Sequence, residues 1–258
     1  SPDPFSLVLV MGVRFPVAID LSFGFTLNGI GGILALDRGL DLDALREGMR
    51  THVLDKMLFP DDPVSKAPEL LNSVAPVFPP QPGGFVVGPI VELGWGSQAK
   101  FVKLKVGVVL ALPDPAIVIL GSLSVQVPHE KAKIVDLKAD VFVAITPDYL
   151  MMFASLNGSK IAGFDIGGEL GLFIGWTGEA AFELSVGGFH PDYFKETRLG
   201  KKKNLDRISI NLSPGGKDSP IQFVIKAYFA VTAGSVQLGV DGRLSADFKV
   251  IAARAWVT

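Results

Sequence analysis

Three histidines are the side chains of this chain whose ordinary pKa lies closest to neutral pH, so they are its first candidates for acid–base chemistry. His190 stands at the end of a strand-like segment, Gly187-Gly-Phe-His-Pro-Asp-Tyr193. With Asp192 and Tyr193 beside it, His190 could be the general base of a hydrolase, provided that these side chains converge with another acid in a pocket. We favour the alternative, in which this segment is structural.

The other candidates for catalysis or metal binding lack the spacing that such sites require. His52 and His129 form no HxxH or HExxH pair, and the sequence has no GxSxG segment. A cluster of four acidic residues resembles a calcium loop: Asp37, Asp41, Asp43 and Glu47. It lacks the DxDxDG core of such a loop, so helix capping explains these residues better. The absence of cysteine excludes thiolate metal sites and disulfides. We therefore expect no metal and no cofactor.

The composition limits the classes of partner. Hydrophobic residues make up 48% of the 258 residues and charged residues 19%, which is below the roughly 25% of an average soluble domain. The net charge of −2 provides no field that attracts nucleic acid, and the basic run Lys201–Lys203 is short. No run approaches the ~20 apolar residues of a transmembrane helix. The sequence does not assign a cellular compartment.

Alternating apolar and polar residues predict β-strands along most of the chain. Apolar residues of one parity run from Val17 to Leu27, from Val102 to Leu112 and from Val236 to Val250, and the last two sets predict a buried face. Asn28-Gly29 and Gly31-Gly32 predict a turn or a bend, and Asn157-Gly158 predicts a hairpin turn, because these residues tolerate positive φ. Short connections between about a dozen strands indicate an antiparallel meander.

Residues 41–76 interrupt this pattern with a predicted helical pair. Apolar residues at helical spacing follow Asp41 and Asp43, either of which could cap the first helix. The predicted fold is therefore all-β, an antiparallel meander that forms a large sandwich or a strongly curved sheet or barrel, with a helical insertion. We expect residues 1–258 to form one β-rich domain. The strand-like sequence from Ile251 to the end suggests that this domain is a segment of a larger polypeptide.

Two strand segments are largely apolar on both faces, which predicts that they lie between two layers or line an apolar cavity. They are residues 106–110 and 116–120. The candidate ligand-contacting residues of these segments are Val106, Val108, Leu110, Ile117 and Ile119. The expected partners are other domains of the parent protein, further copies in a homo-oligomer, or a lipid-like ligand.

Several ordered segments resemble a family of large bacterial and fungal proteins that carry a domain of unknown function. They include GIGGILALDR at 29–38, FPDDPV at 59–64, LGWG at 93–96 and SVGGFHP at 185–191. The similarity runs from about residue 15 to the C-terminus. It implies a longer β-rich polypeptide, and it implies no activity, cofactor or catalytic residue.

The sequence favours a non-enzymatic structural or binding module whose apolar surfaces contact other domains, subunits or an apolar ligand. One alternative is a lipid-binding or membrane-active β protein, which requires a contiguous apolar groove. The second alternative is the hydrolase that uses the loop at His190.

Overall fold

The computed structural model describes residues 5–50, 72, 75–96, 101–128, 133–178, 180–193, 197–199, 205–213, 219–248 and 251–257. These residues form strands β1 Leu7–Ser22, β2 Phe25–Arg38, β3 Pro80–Trp95, β4 Val102–Leu112, β5 Ala116–Pro128, β6 Lys133–Ile145, β7 Tyr149–Ile161, β8 Phe164–Gly175, β9 Ala181–Val186, β10 Ile208–Asn211, β11 Ile221–Thr232, β12 Ser235–Phe248 and β13 Ile251–Val257, and helix α1 Leu42–Arg50. The all-β antiparallel prediction is confirmed. Within the described residues, no helix is long and apolar enough to span a membrane.

The chain divides into two compact units. Unit 1 comprises Ser1–Leu123 and Asp140–Asp148, and unit 2 comprises Ser124–Ala139 and Tyr149–Thr258. Strands β5 and β6 therefore contribute segments to both units.

Unit 1 is built on consecutive antiparallel strands. β1 pairs with β2, β2 with β3, and β3 with β4. Its core consists of apolar side chains that are almost fully buried: Ile33, Ala35, Leu45, Val77, Phe78, Val86, Ile90, Val109, Ala111, Val118, Leu120, Phe142 and Ala144. The core thus uses residues of one parity on β2, β3 and β4.

Helix α1 begins where the sequence predicts it. Asp41 Oδ1 accepts a hydrogen bond from the backbone N–H of Ala44 (2.8 Å), so Asp41 is the N-cap. Asp37 instead accepts from the N–H of Gly83 (2.7 Å). The remainder of the predicted helical pair, residues 51–71 and 73–74, lies outside the described residues, and so do His52, His129 and Lys201–Lys203.

The predicted strand Val17–Leu27 is wrong, because the chain reverses within it. Phe23 and Gly24 form the turn between β1 and β2, both with positive φ (53° and 79°). The predicted turn at Gly31-Gly32 lies inside β2 instead. A Cβ on Gly31 would come within 2.6 Å of the Met11 carbonyl oxygen, so this glycine permits close strand approach.

The predicted hairpin turn at Asn157-Gly158 is also wrong. β7 continues through it with a register shift between Leu156 and Ser159, and Gly158 has φ +65°. The chain turns at Ala162-Gly163. An Asn-Gly pair suits a β-bulge as well as a turn, because both need positive φ.

In unit 2, two short strands occupy a single position in the sheet, between β8 and β11. β10 pairs with β8 at residues 165–167 and with β11 at 224–227, whereas β9 pairs with β8 at 170–175 and with β11 at 229–232. β9 and β10 therefore lie end to end between β8 and β11. The described residues between them, 187–193, 197–199 and 205–207, belong to neither strand and are called the strap below.

Candidate functional site

One face of the β1–β4 sheet in unit 1 is apolar from edge to edge. Residues paired directly across neighbouring strands project on the same side of a sheet, so the strand registers identify the members of this face. From one end to the other, the cross-strand rows are Leu7/Leu36/Phe85/Leu112, Leu9/Leu34/Val87/Leu110, Met11/Gly32/Pro89, Val13/Ile30/Val91/Val106, Ile19/Leu27/Leu93/Leu104 and Phe25/Trp95/Val102. We call this surface the unit 1 apolar face. No charged side chain occurs in these rows.

This face is the exposed side of the sheet. Met11 and Val13 on the edge strand are 58% and 59% exposed, and Val108 and Leu110 on β4 are 41% and 39% exposed. The predicted buried face of Val102–Leu112 is therefore wrong at Val108, Leu110 and Leu112. The side chains buried on this strand are those of the other parity.

The charged residues of the same strands lie on the opposite side, towards the core. Arg14 pairs in register with Gly29, Gly29 with Glu92, and Glu92 with Lys105. Glu92 is buried, and its Oε2 accepts a hydrogen bond from Arg14 Nε at 3.1 Å. Arg14 and Glu92 thus pair with each other on this side of the sheet, and the rows of the other face contain no charged side chain.

The five predicted ligand-contacting residues lie on β4 and β5 of unit 1. Val106, Val108 and Leu110 share one parity of β4 and belong to the unit 1 apolar face. Ile117 is 44% exposed and Ile119 is partly exposed, and they alternate with the buried Ala116, Val118 and Leu120. Whether these residues contact a ligand stays a prediction.

Unit 2 has an exposed apolar face of its own on β11 and β12. Its cross-strand pairs are Ile221/Ala246, Phe223/Leu244, Ile225/Gly242, Ala227/Val240, Phe229/Leu238 and Val231/Val236. Leu238 is 74% exposed. The predicted buried face of Val236–Val250 is therefore wrong for its described side chains, because Val236, Leu238, Val240 and Leu244 are exposed.

The strap covers the other face of the unit 2 sheet. Its apolar residues Phe189, Leu199 and Leu205 are buried. A Cβ on Gly171 would lie 3.0 Å from Leu205 and 3.1 Å from Leu199, so this glycine of β8 makes room for the strap. Two acidic side chains of the sheet accept hydrogen bonds from strap backbone N–H groups. Glu169 accepts from Asp206 (2.7 Å), and Glu183 accepts from Arg198 and Leu199.

His190, Asp192 and Tyr193 belong to the first part of the strap. His190 Nδ1 accepts a hydrogen bond from the Asp192 backbone N–H at 3.1 Å and lies 3.9 Å from Asp192 Oδ2. Both side chains are exposed. Tyr193 stacks on Phe189, and its hydroxyl lies 3.4 Å from Thr232 Oγ1. The structure therefore brings His190 and Asp192 together and directs Tyr193 elsewhere.

A cavity of about 450 Å³ lies beside the end of the strap. It is lined by Gly167, Gly168, Leu205, Asp206, Arg207, Ser209 and Lys226, and none of the three candidate catalytic residues lines it. The hydrolase hypothesis stays a prediction, which an activity assay of His190→Ala would test. No group of residues in the described chain has the composition and arrangement of a metal site.

Arg207 holds the two ends of the strap together. Its guanidinium donates hydrogen bonds to the carbonyl oxygens of Gly187 and Phe189, each at 2.7 Å, and lies 3.9 Å from the ring centroid of Tyr228. Burial lowers the pKa of Arg207 from its ordinary value, and the nearby Tyr228 opposes this shift. An arginine nevertheless stays protonated in a protein. The SVGGFHP segment is thus a clamped corner of the sheet.

The family model of a "family of unknown function (DUF6603)" matches residues 1–258, the whole chain. The chain belongs to this family. The resemblance found in the sequence is thereby confirmed at the level of a domain of unknown function. Neither the curated proteins nor the solved structures contain a significant match to this DUF6603 chain.

Sequence reasoning missed two features of this DUF6603 chain. It recognised apolar parities but assigned the exposed side to the core. It also missed Arg207, Glu169 and Glu183 as anchors of the strap. Glu169 and Glu183 could have been noticed as carboxylates within otherwise apolar strands, whereas Arg207 has no local signal in the sequence.

Proposed function

We propose that this chain is a structural binding module that buries the unit 1 apolar face against an apolar surface of a protein. The observation that carries this proposal is the continuous set of uncharged rows on an exposed sheet face. Strands about 4.8 Å apart with a rise of about 3.4 Å per residue give this face roughly 600 Å². Exposed apolar patches of more than a few hundred Å² usually mark interaction sites.

The open extent of this sheet face favours a protein partner. Pockets for small apolar ligands are concave and enclose most of the ligand surface. A face that opens along whole strands instead resembles one half of a sheet-on-sheet interface, in which two layers pack about 10 Å apart. An open face of this kind therefore supports a module that binds its partner through the side chains of its strands.

A lipid-binding or membrane-active function is the second candidate. It is favoured by an aromatic group at one end of the unit 1 apolar face. Phe23 in the β1–β2 turn is 94% exposed, and Phe25 and Trp95 lie 6.4 Å apart between ring centroids. Aromatic side chains are enriched where an apolar surface meets the headgroup region of a membrane.

Dye binding and native mass spectrometry of the purified chain test the proposal together. We expect either an anilinonaphthalene dye bound to the monomer or an added mass on the chain. The double variant Val108→Glu/Leu110→Glu should abolish the added mass and weaken the dye signal, the remainder of which comes from the exposed apolar face of unit 2. Ile161→Glu is the matched control, since it places the same charge on unit 2 at an apolar side chain that is 42% exposed, as against 41% for Val108. A wild-type chain with neither signal, or signals that the double variant leaves unchanged, would overturn the proposal.

A further inference from the structure

We infer that the unit 1 apolar face packs against the same face of a second copy of this chain. This inference rests on the proposed function and names its partner. It concerns the rows of β1–β4. Val108 and Leu110 lie on β4, which pairs with β3 on one side and with β5 on the other.

The size of the face agrees with the requirements of a stable dimer. An interface of standard size takes about 20–30 residues and about 800 Å² from each partner. The rows contain on the order of 20 side chains over roughly 600 Å² of sheet, so two copies would bury about 1,200 Å² in total. This total lies at the lower end of the range of about 1,200–2,000 Å² for specific, stable interfaces.

The absence of charge on this face also suits contact with the same face of a second copy. In a twofold interface each patch meets its own copy, so a charge near the axis meets the same charge. The rows contain no charge, and the charged residues Arg14, Glu92 and Lys105 belong to the opposite side of the sheet. Obligate homodimer interfaces are also the most apolar class of protein interface. A partner recognised by charge complementarity would require charges that this face lacks.

The arrangement expected is two sheets packed face to face. Twisted sheets stack with their strands within about 30° of each other, and their inner side chains interdigitate. Met11 and Val13 on the edge strand would be covered together with Val108 and Leu110. Trp95 would change from a largely exposed to a buried environment when the dimer forms.

Sedimentation velocity of the full chain over a dilution series tests the inference. We expect a dimer that dissociates on dilution, with dye binding that rises as monomer appears. Val108→Glu and, separately, Val13→Glu should each raise the dimer dissociation constant at least about a hundredfold, because each places uncompensated charges in an apolar interface. Ile161→Glu should leave it within about threefold, because Ile161 belongs to unit 2 and lies outside the unit 1 apolar face. The circular dichroism of each variant shows whether it is folded.

The outcomes separate the inference from the proposed function. A monomer at every concentration that binds dye, or carries a lipid-sized mass, overturns the second copy as partner and keeps the face as a binding surface. A dimer that Val240→Glu on the unit 2 face abolishes, and Val108→Glu does not, also overturns the inference. A monomer that binds neither dye nor added mass overturns both.

Discussion

Replacing Arg207 with alanine should release the strap while the sheet persists. The guanidinium makes two hydrogen bonds of 2.7 Å to carbonyl oxygens and one contact with Tyr228. Hydrogen bonds from a charged group contribute about 1.5–3 kcal/mol each, and an accessible cation–π contact about 0.5–1 kcal/mol. Because Arg207 is partly exposed and water can replace some of these bonds, we take the lower values and expect a loss of about 3 kcal/mol.

Hydrogen exchange of the strap amides measures this loss directly, since it reports local opening separately from global unfolding. A loss of about 3 kcal/mol corresponds to roughly a hundredfold faster exchange at His190, whose N–H is bonded to Gln237 Oε1. Arg207→Lys keeps the charge but not the two-pronged geometry, so about half of the effect should remain. Arg243→Ala removes an exposed arginine from β12 and is the control. Exchange within about threefold of the wild type in Arg207→Ala would refute this reasoning.

Four further substitutions test other contacts. Gly187→Ala should destabilise unit 2 by more than about 3 kcal/mol in denaturant unfolding, because φ is +79° and the added Cβ would lie 2.4 Å from a carbonyl oxygen. Gly178→Ala, which has φ +72° and open space, should cost only about 1 kcal/mol. Ser185→Ala should change thermal stability by less than about 0.5 kcal/mol or increase it, because the buried Oγ has no hydrogen-bond partner. Asp41→Ala should destabilise helix α1 by about 1 kcal/mol, measured by amide exchange within it.

The strand pattern could be read from the sequence because alternation is a local property. The predicted strand Val102–Leu112 coincides with β4, and the one predicted from Val236 starts within one residue of β12. The turns were harder to predict, because glycine and asparagine serve bulges as well as turns. Asn157-Gly158 shows this, since β7 continues through it with a register shift.

Alternation could not show which side of each strand faces the core. A period of two says that one side of a strand is apolar, and the usual assumption is that this side faces the core. In residues 106–112 of β4 both sides are apolar, so alternation alone does not decide the outcome. The smaller Gly107, Val109 and Ala111 enter the core, and Val108, Leu110 and Leu112 face outward. This choice depends on contacts between strands that are distant in the sequence.

The sequence did not reveal what holds the segment around His190 in place, for a related reason. Gly187-Gly188 and Pro191 indicated an irregular segment, and the strap is irregular. Its anchors are contributed by β8, β9 and the residue before β10, which lie far apart in the chain. Only the fold shows that His190 belongs to a corner held by Arg207.

The shared position of β9 and β10 has a consequence for how this chain can vary. The N–H of Gly187 donates a hydrogen bond to the carbonyl oxygen of Glu169. Ile208 begins β10, which continues in line with β9, and the backbone nitrogen of Ile208 lies beside Gly187. Residues 188–207 are therefore an insertion into what is otherwise one continuous strand. The length of the segment between these two points can therefore differ without shifting the register of β8 against β11, provided that the segment still covers the face on which Phe189, Leu199 and Leu205 are buried.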